Sequence, residues 1–209
     1  MSLNVINAFQ KFAGDSALFD ENYESTDGWT FVRTEFSINA SGNGLLLATN
    51  VPDNALAQCY KDIGFNLPST YTLKIEYKPT STPNNIYPCS FTETSTQINS
   101  QEKGVIIRTN GGTTINIATV SSGSVTQASF ITSLVVDTQY YVKIVNDDSN
   151  ISLSVFTGSD YETGQVGSTI SVTDPNFTTL DTLQHCGRTD GGGGTGTSFA
   201  INNVSVIES

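Results

Sequence analysis

The fold of this chain is decided by Tyr71-Thr72-Leu73-Lys74-Ile75-Glu76-Tyr77-Lys78. Apolar and aromatic residues occupy every second position of this stretch, and hydroxyl or charged residues occupy the positions between them. Successive side chains of a β-strand point to opposite faces of a sheet. The stretch therefore predicts a strand with one face in a core and the other in water.

A hairpin is predicted further along the chain. Residues 141–145 and 151–155 are rich in β-branched and apolar residues, and Asn146-Asp147-Asp148-Ser149-Asn150 lies between them. Asn, Asp and Ser favour turns because their short side chains bond to nearby backbone groups. The two segments are therefore predicted to be antiparallel neighbours.

Further short segments rich in Val, Ile, Thr, Tyr and Phe recur along the chain, with Gly, Asn, Asp, Ser or Pro between them. This rhythm predicts an all-β fold, an antiparallel β-sandwich jelly roll of two stacked sheets. The other predicted strands are Trp29–Arg33, Gly44–Thr49, Ala55–Ile63, Gly104–Thr109, Thr114–Val120, Gln127–Thr132 and Phe199–Ile207, beside Tyr71–Lys78, Tyr140–Val145 and Ile151–Phe156.

The domain organisation follows from the same pattern. Residues 1–18 are predicted to be a first strand or an arm, and residues 19–209 a single jelly-roll domain. Ser81–Ser100 carries two prolines and Gly158–Gly196 carries a run of four glycines, so both are predicted to be long loops.

Composition excludes several classes of function. Nine Lys and Arg against twenty Asp and Glu give a net charge of −11, which is unsuited to binding a phosphate backbone. Thr, Ser and Asn make up 70 of the 209 residues, so hydroxyls and amides supply most of the polarity. There is no apolar run of membrane-spanning length and no signal peptide at the N-terminus, so neither membrane insertion nor export by that route is expected.

The search for catalytic residues argues against an enzyme. Two carboxylates at i and i+2 or i+4 of one strand would suit glycoside hydrolysis, but the predicted strands lack that pattern. His185 is the only histidine, and its neighbour Cys186 would point to the opposite face of a strand. The three cysteines, Cys59, Cys89 and Cys186, are interpreted as buried free thiols, with a Cys59–Cys89 bridge as the alternative.

Calcium is the one cofactor for which the residues make a case. Oxygen ligands in turns suit this ion, and two groups are candidates. One consists of Asp20, Glu21 and Asn22, and the other of Asp147 and Asp148 in the predicted hairpin. Asx-turns without a metal are the alternative interpretation of both groups.

Several elements occur in the order found in a known superfamily. They are Leu18-Phe19-Asp20-Glu21 with Asp27-Gly28-Trp29, then Tyr71–Lys78, Gly104-Val105-Ile106-Ile107-Arg108, Gln139-Tyr140-Tyr141-Val142-Lys143-Ile144 and Phe199-Ala200-Ile201-Asn202-Asn203-Val204-Ser205-Val206. From Leu18 onward the chain resembles the concanavalin A-like lectin and glucanase jelly-roll superfamily, which includes laminin-G-like domains and carbohydrate-binding modules.

The resemblance implies two sets of site residues. A structural calcium would use Asp20 and Glu21 with Asn203 of the last strand, where the family commonly has Asp. Sugar rings would stack on aromatic side chains, for which the candidates are Tyr60, Tyr77, Tyr87, Tyr140 and Tyr161. The Glu-x-Asp-x-x-Glu strand of the family's glucanases is absent, so the resemblance implies binding rather than cleavage.

Together these observations favour a non-catalytic, lectin-like structural or attachment component of a phage or virus particle, or of another surface assembly. Its expected partners are glycans, other virion or surface proteins, and further copies of the chain in a homo-oligomer. The expected location is a virion or an extracellular surface. A soluble carbohydrate-binding module of a secreted enzyme is the alternative, followed by a glycan hydrolase or lyase.

Overall fold

The computed structural model describes residues 17–32, 34–40, 44–51, 58–81, 86–95, 103–109, 114–132, 134–187 and 197–209. No helix capable of crossing a membrane occurs in these ranges. Their strands are β1 (Ala17–Glu21), β2 (Trp29–Phe31), β3 (Phe36–Asn39), β4 (Leu45–Val51), β5 (Gln58–Asp62), β6 (Thr70–Pro79), β7 (Ile86–Thr92), β8 (Lys103–Arg108), β9 (Asn116–Ser121), β10 (Ser124–Gln127), β11 (Tyr140–Asp147), β12 (Asn150–Phe156), β13 (Ile170–Thr173), β14 (Thr182–Gly187) and β15 (Thr197–Glu208).

The strands form two antiparallel sheets. Sheet 1 has the order β13-β12-β11-β6-β15-β4-β3, and β1 also pairs with β15. Sheet 2 has the order β10-β9-β8-β7-β14-β5-β2. The facing sides of the two sheets bury one continuous apolar core. The predicted all-β sandwich jelly roll is confirmed.

Strand β6 lies between β11 and β15 in sheet 1 and alternates as predicted. Tyr71, Leu73, Ile75 and Tyr77 point into the core and are at most 2% exposed. The residues between them are half-buried on the outer face. This regular alternation gives sheet 1 an outer face on which side chains of neighbouring strands stand side by side.

The predicted hairpin is confirmed by the pairing of β11 with β12. Asp148 adopts a φ of 70° in the turn, a conformation that Asp tolerates better than most residues. The Asp147 Oδ1 atom accepts backbone N–H bonds from Ser149 at 3.0 Å and Asn150 at 2.7 Å. Asp147 therefore shapes the turn, as in the metal-free interpretation of this group.

The prediction of two long loops is wrong in part, because both segments contain strands. Ser81–Ser100 contains β7, and Gly158–Gly196 contains β13 and β14. All seven residues of β7 are buried, so its sequence does not alternate between polar and apolar. Pro88 is accommodated where the register between β7 and β14 shifts, a position at which a missing backbone N–H is tolerated.

The strand predicted at Gln127–Thr132 is displaced toward the C-terminus, because the observed strand, β10, is Ser124–Gln127. Strand β9 ends at Ser121, and a two-residue turn at Ser122 and Gly123, with φ of 49° and 75°, starts β10 at Ser124. Such positive φ values match the twist of a tight hairpin, so the return strand begins at once. In the remainder of the predicted strand, Ile131 forms an isolated bridge with Ile115.

The predicted arm falls mostly on residues 1–16, which lie outside the described residues. Ala17 and Leu18, at its end, are the first residues of β1 and so belong to sheet 1. The cysteines Cys59, Cys89 and Cys186 are free and buried, as predicted.

Candidate functional site

A row of polar and aromatic side chains crosses the outer face of sheet 1. Glu76 of β6 stands opposite Tyr141 of β11 on one side and Asn203 of β15 on the other. Asn203 Nδ2 donates to Asp20 Oδ1 of β1 at 2.7 Å. Tyr161, from the loop after β12, packs edge-on against Tyr141 with ring centres 5.4 Å apart. We call these five residues the tyrosine–carboxylate row.

An irregularity in β15 brings Asn203 into the row. Ile201 pairs with Tyr77 and Asn203 pairs with Glu76, so β15 has one extra residue at this point. Ile201 and Val204 are both fully buried, which shows that the extra residue resets the alternation between them. Without this bulge, Asn203 would share the core face with Ile201.

Tyr161 is placed by a tight loop. Its φ is 60°, and its backbone N–H donates to the Gly158 carbonyl at 3.2 Å. Asp160 Oδ1 accepts the N–H groups of Glu162 at 3.0 Å and Thr163 at 2.9 Å, which fixes the turn. The Lys74 Nζ atom lies 5.5 Å from the Tyr161 ring centre, within range of a cation–π contact.

The row contains two carboxylates, Asp20 and Glu76, and the Lys74 ammonium lies beside its Tyr161 end. Partial burial, followed by the nearby Asp20 charge, raises the pKa of Glu76. Burial and the Glu76 charge likewise raise the pKa of Tyr141. The ion pairs among the described residues are Lys61–Glu21, Lys78–Asp137 and Lys103–Glu93, so they do not include Asp20 or Glu76. The row therefore presents acceptor oxygens beside an aromatic surface.

The predicted sugar-binding tyrosines are scattered. Tyr77, Tyr87 and Tyr140 are at most 4% exposed, and the Tyr140 hydroxyl accepts the Val135 N–H at 2.7 Å. These three rings belong to buried apolar clusters and have no open face for a sugar, which corrects the prediction for them. Tyr161, 6% exposed, belongs to the tyrosine–carboxylate row as the support of Tyr141, and Tyr60 is half-buried on sheet 2.

The predicted calcium ligands do not converge. Asp20 and Asn203 meet, but Glu21 points inward from β1 and is 5% exposed. Glu21 accepts from Lys61 Nζ at 2.6 Å and from the Tyr23 N–H at 2.9 Å. Asn203 offers an amide N–H, not an oxygen, to Asp20. The described ranges contain no group of three His, Cys, Asp or Glu residues arranged for a metal, so this ligand set does not fit calcium.

The outer face of sheet 2 differs from that of sheet 1, because the segment that follows β7 packs against it at Thr94 and Ser95. Gln184 Nε2 donates to the Thr94 carbonyl, and Gln58 Nε2 donates to the Ser95 carbonyl at 2.9 Å. These side chains hold the segment that follows β7 against the sheet. Ser90, beside Gln184 in the ladder, is 1% exposed, and its hydroxyl has no hydrogen-bond partner among the described residues.

We expect Ser90→Ala to raise the free energy of unfolding by about 1 kcal/mol, because it removes a buried hydroxyl that makes no hydrogen bond. The measurement is urea unfolding followed by circular dichroism. Thr92→Val is the matched control, since the Thr92 hydroxyl donates to the Thr94 carbonyl at 2.8 Å and accepts from Gln184 at 2.7 Å. It should lose roughly 1–3 kcal/mol, and a destabilised Ser90→Ala protein would contradict the prediction.

Sequence reasoning missed Glu76 and Tyr141. The alternation of residues 71–78 placed Glu76 on an outer face, but it did not show that Tyr141 is its cross-strand neighbour. That neighbourhood depends on the register between strands far apart in the chain.

No protein-family model and no curated protein matches this sequence. Among solved structures, the VIP36 exoplasmic/lumenal domain bound to Ca²⁺ and Man3GlcNAc matches with a TM-score of 0.61 and 12% identity, over 90% of this chain and 86% of that one. A structure described among endo-acting O-glycanases of the human gut microbiota gives a TM-score of 0.63 and 8% identity, over 93% and 100%.

The carbohydrate-binding module CBM66 from Bacillus subtilis gives a TM-score of 0.50 and 11% identity, over 87% of this chain and 96% of that one. At these identities the likeness concerns the fold alone. The two stacked antiparallel sheets and these structural neighbours show that the chain has the concanavalin A-like jelly-roll fold of lectins and carbohydrate-binding modules.

Proposed function

We propose that this protein is a non-catalytic carbohydrate-binding protein and that the tyrosine–carboxylate row binds the saccharide. The observation that carries the proposal is the cross-strand alignment of Tyr141, Glu76 and Asn203, extended by the bond from Asn203 to Asp20. The alignment puts an aromatic ring and several hydrogen-bonding groups along one line of an outer sheet face.

The chemistry of these groups suits a sugar. The half-buried Tyr141 ring, supported edge-on by Tyr161, offers apolar surface to the C–H face of a pyranose. The carboxylates of Asp20 and Glu76 accept hydrogen bonds from sugar hydroxyls, and such bonds to charged groups are stronger than neutral ones. A few aimed polar groups beside an apolar surface are typical of small-ligand sites.

The charge of the site and of the whole chain favours neutral saccharides over acidic ones as ligands. Asp20 and Glu76, which lie outside the ion pairs given for the described residues, disfavour a uronic or sialic acid placed beside them, and the Lys74 ammonium near Tyr161 offsets part of this repulsion. The net charge of −11 acts in the same direction over longer distances. The structural neighbour bound to Man3GlcNAc supports a neutral oligosaccharide as the first probe.

We expect Tyr141→Ala to weaken binding of a neutral oligosaccharide of mannose and N-acetylglucosamine about tenfold or more, a change of roughly 1.4 kcal/mol. The variant removes the only face on which the sugar would stack in the row. The ligand is first selected on a glycan array, and its affinity is then measured by calorimetry at pH 7.

Tyr60→Ala is the matched control, because Tyr60 is also half-buried but lies on sheet 2. If its loss exceeds that of Tyr141→Ala, the sugar binds on sheet 2 and the proposed site is wrong. Cleavage of the bound oligosaccharide that stops in Glu76→Gln would contradict the non-catalytic part of the proposal. Wild-type affinity for acidic glycans above that for neutral ones would contradict the ligand class.

The attachment role remains a prediction from composition. We propose that the protein displays this binding face on a virion or an extracellular surface, with other surface proteins or further copies of itself as partners. The abundance of Ser, Thr and Asn supports a surface that is polar without strong charge. Co-purification with particles, and the mass of the assembly in solution, test this role directly.

A further inference from the structure

His185 lies inside the sandwich, where the chain crosses from sheet 1 to sheet 2. Residues 21–31, which we call the crossing segment, connect the end of β1 with β2. The Tyr23 hydroxyl of this segment lies 3.0 Å from His185 Nε2. The ring of Trp29, also in the segment, stacks on the imidazole with centres 5.3 Å apart at 24°. His185 thus contacts two rings that hold the crossing segment in place.

The hydrogen bonds fix the protonation of His185. Its Nδ1 atom bonds to the Pro88 carbonyl, which can only accept, so Nδ1 carries the proton. In the neutral ring Nε2 is then an acceptor, and the Tyr23 hydroxyl donates to it. If Nε2 were protonated as well, it would become a donor and could no longer accept the hydrogen bond from the Tyr23 hydroxyl.

Among the residues that the structure describes, the groups around His185 provide no unpaired counter-charge for a protonated ring. The titratable groups packed nearby are the Cys59 thiol, opposite His185 in the ladder, the Cys89 thiol and the Tyr23 hydroxyl. Burial raises the pKa of each, so all three stay neutral in acid. The neighbouring ionic groups, Glu21 and Lys61, pair with each other at 2.6 Å. Burial accordingly lowers the pKa of His185 to about 4.

Besides the pairing of β2 with β5, the crossing segment has few side-chain anchors. Its residues 22 and 24–28 are exposed, and only Glu21, Tyr23 and Trp29 are buried, with Phe31 half-buried. Two of those three buried side chains touch His185, and the third is the carboxylate bonded to Lys61. The segment continues directly into β1, which carries Asp20 of the tyrosine–carboxylate row.

We propose that the contact between Tyr23 and His185 is an acid-released latch, which frees the crossing segment when the imidazole is protonated and so loosens the end of β1 that positions Asp20 in the tyrosine–carboxylate row. The latch makes ligand binding sensitive to acid, and this last step rests on the proposed function. The release itself is a property of the protein alone.

The chain has one tryptophan and one histidine. Trp29 fluorescence therefore reports on the crossing segment, and the His185 resonances report on the imidazole, without added labels. Since a free histidine titrates near pH 6.5 and the buried one at about 4, opening should become up to about 300-fold more favourable over that range. We expect amide exchange in the crossing segment, corrected for its intrinsic pH dependence, to rise by up to this factor. Trp29 emission should shift to longer wavelength while the far-ultraviolet circular dichroism of the sheets is retained.

His185→Gln is the decisive variant, because its amide can bond to both the Pro88 carbonyl and the Tyr23 hydroxyl but does not titrate. It should lose the acid-dependent rise in exchange, whereas Glu21→Gln should keep it. The latch is overturned if His185→Gln behaves as wild type, or if exchange and circular dichroism change together.

Nuclear magnetic resonance of the imidazole gives a second test that needs no stable His185 variant. The ring should titrate below pH 5 in the wild type, and Tyr23→Phe should move this titration to higher pH by removing the donor that favours the neutral ring. A wild-type titration above pH 6 would overturn the latch.

The consequence for binding is tested separately. Affinity for the selected oligosaccharide should fall more between pH 7 and pH 4.5 in the wild type than in His185→Gln, which retains the titration of the row itself. Equal falls would overturn the coupling. A protein that binds no oligosaccharide at any pH would refute the proposed function, whereas the exchange and emission measurements would still decide the latch.

Discussion

Gly44→Ala is expected to lower the free energy of unfolding by roughly 3 kcal/mol. A Cβ atom at Gly44 would lie 2.1 Å from the Asn22 carbonyl oxygen, 2.4 Å from the Tyr23 carbonyl carbon and 2.5 Å from the Glu24 nitrogen. All three contacts are with backbone, so no side chain can turn away to make room. The added methyl group can be accommodated only by displacing the crossing segment or the start of β4.

The measurement is the urea midpoint of wild type and variant, with Gly64→Ala as the matched control. A Cβ atom at Gly64 meets nothing within 4 Å, although φ there is +81°. This control should cost only about 1 kcal/mol, the penalty of a left-handed alanine. A Gly44→Ala protein as stable as the control would show that the crossing segment does not pass this close to Gly44.

The structure also predicts which contact the Gly44→Ala substitution disturbs. Because Tyr23 lies directly over Gly44, moving the backbone there separates the Tyr23 hydroxyl from His185. We therefore expect the variant to show, at neutral pH, the Trp29 emission that the wild type shows in acid.

Strands with one core face could be predicted from the sequence because they alternate. Strands β8 and β9 are buried on both faces and could be predicted as well, because they are rich in Val and Ile, whereas β7 and β14 could not. Strands β6, β11 and β12 each have one core face, so their polar and apolar residues mark the two sides. Strands β7 and β14 are buried throughout the part whose burial the structure describes, and the buried Gln184 amide of β14 donates to the Thr92 hydroxyl of β7. Pro88 interrupts β7, and β14 carries Gln184 and His185, so neither strand has the run of β-branched residues that predicts a strand.

The same distinction explains the predicted site residues. Tyr77 shares its face of β6 with Leu73 and Ile75, so the alternation itself places its ring in the core, against the role that the resemblance implied. The family resemblance implied that Asp20 and Asn203 are calcium ligands, whereas in the structure they meet through a hydrogen bond. Their alignment with Tyr141 depends on strand register and on the bulge in β15, which local sequence does not encode.

Acid is expected to destabilise the whole protein through His185 alone by about 3 kcal/mol between pH 6.5 and pH 4. The pKa of this ring is about 4 when folded, below its value near 6.5 when unfolded, because burial disfavours the charged form. Between these two values the unfolded state binds more protons, so the free energy of unfolding falls as pH falls, by about 1.4 kcal/mol for each unit. Above pH 6.5 both states are neutral at this ring, and its contribution is constant.

The measurement is the free energy of unfolding in urea at pH 7, 6, 5 and 4 for wild type and His185→Gln. Carboxylates titrate in both proteins and cancel in the difference, which isolates the histidine. The stability difference in favour of wild type should shrink by about 3 kcal/mol over the range, whatever the stability of the variant at pH 7. A difference that does not change with pH would mean that the folded protein holds the imidazolium as well as the neutral ring. In that case the hydrogen bond from Tyr23 could not be the contact that acid breaks.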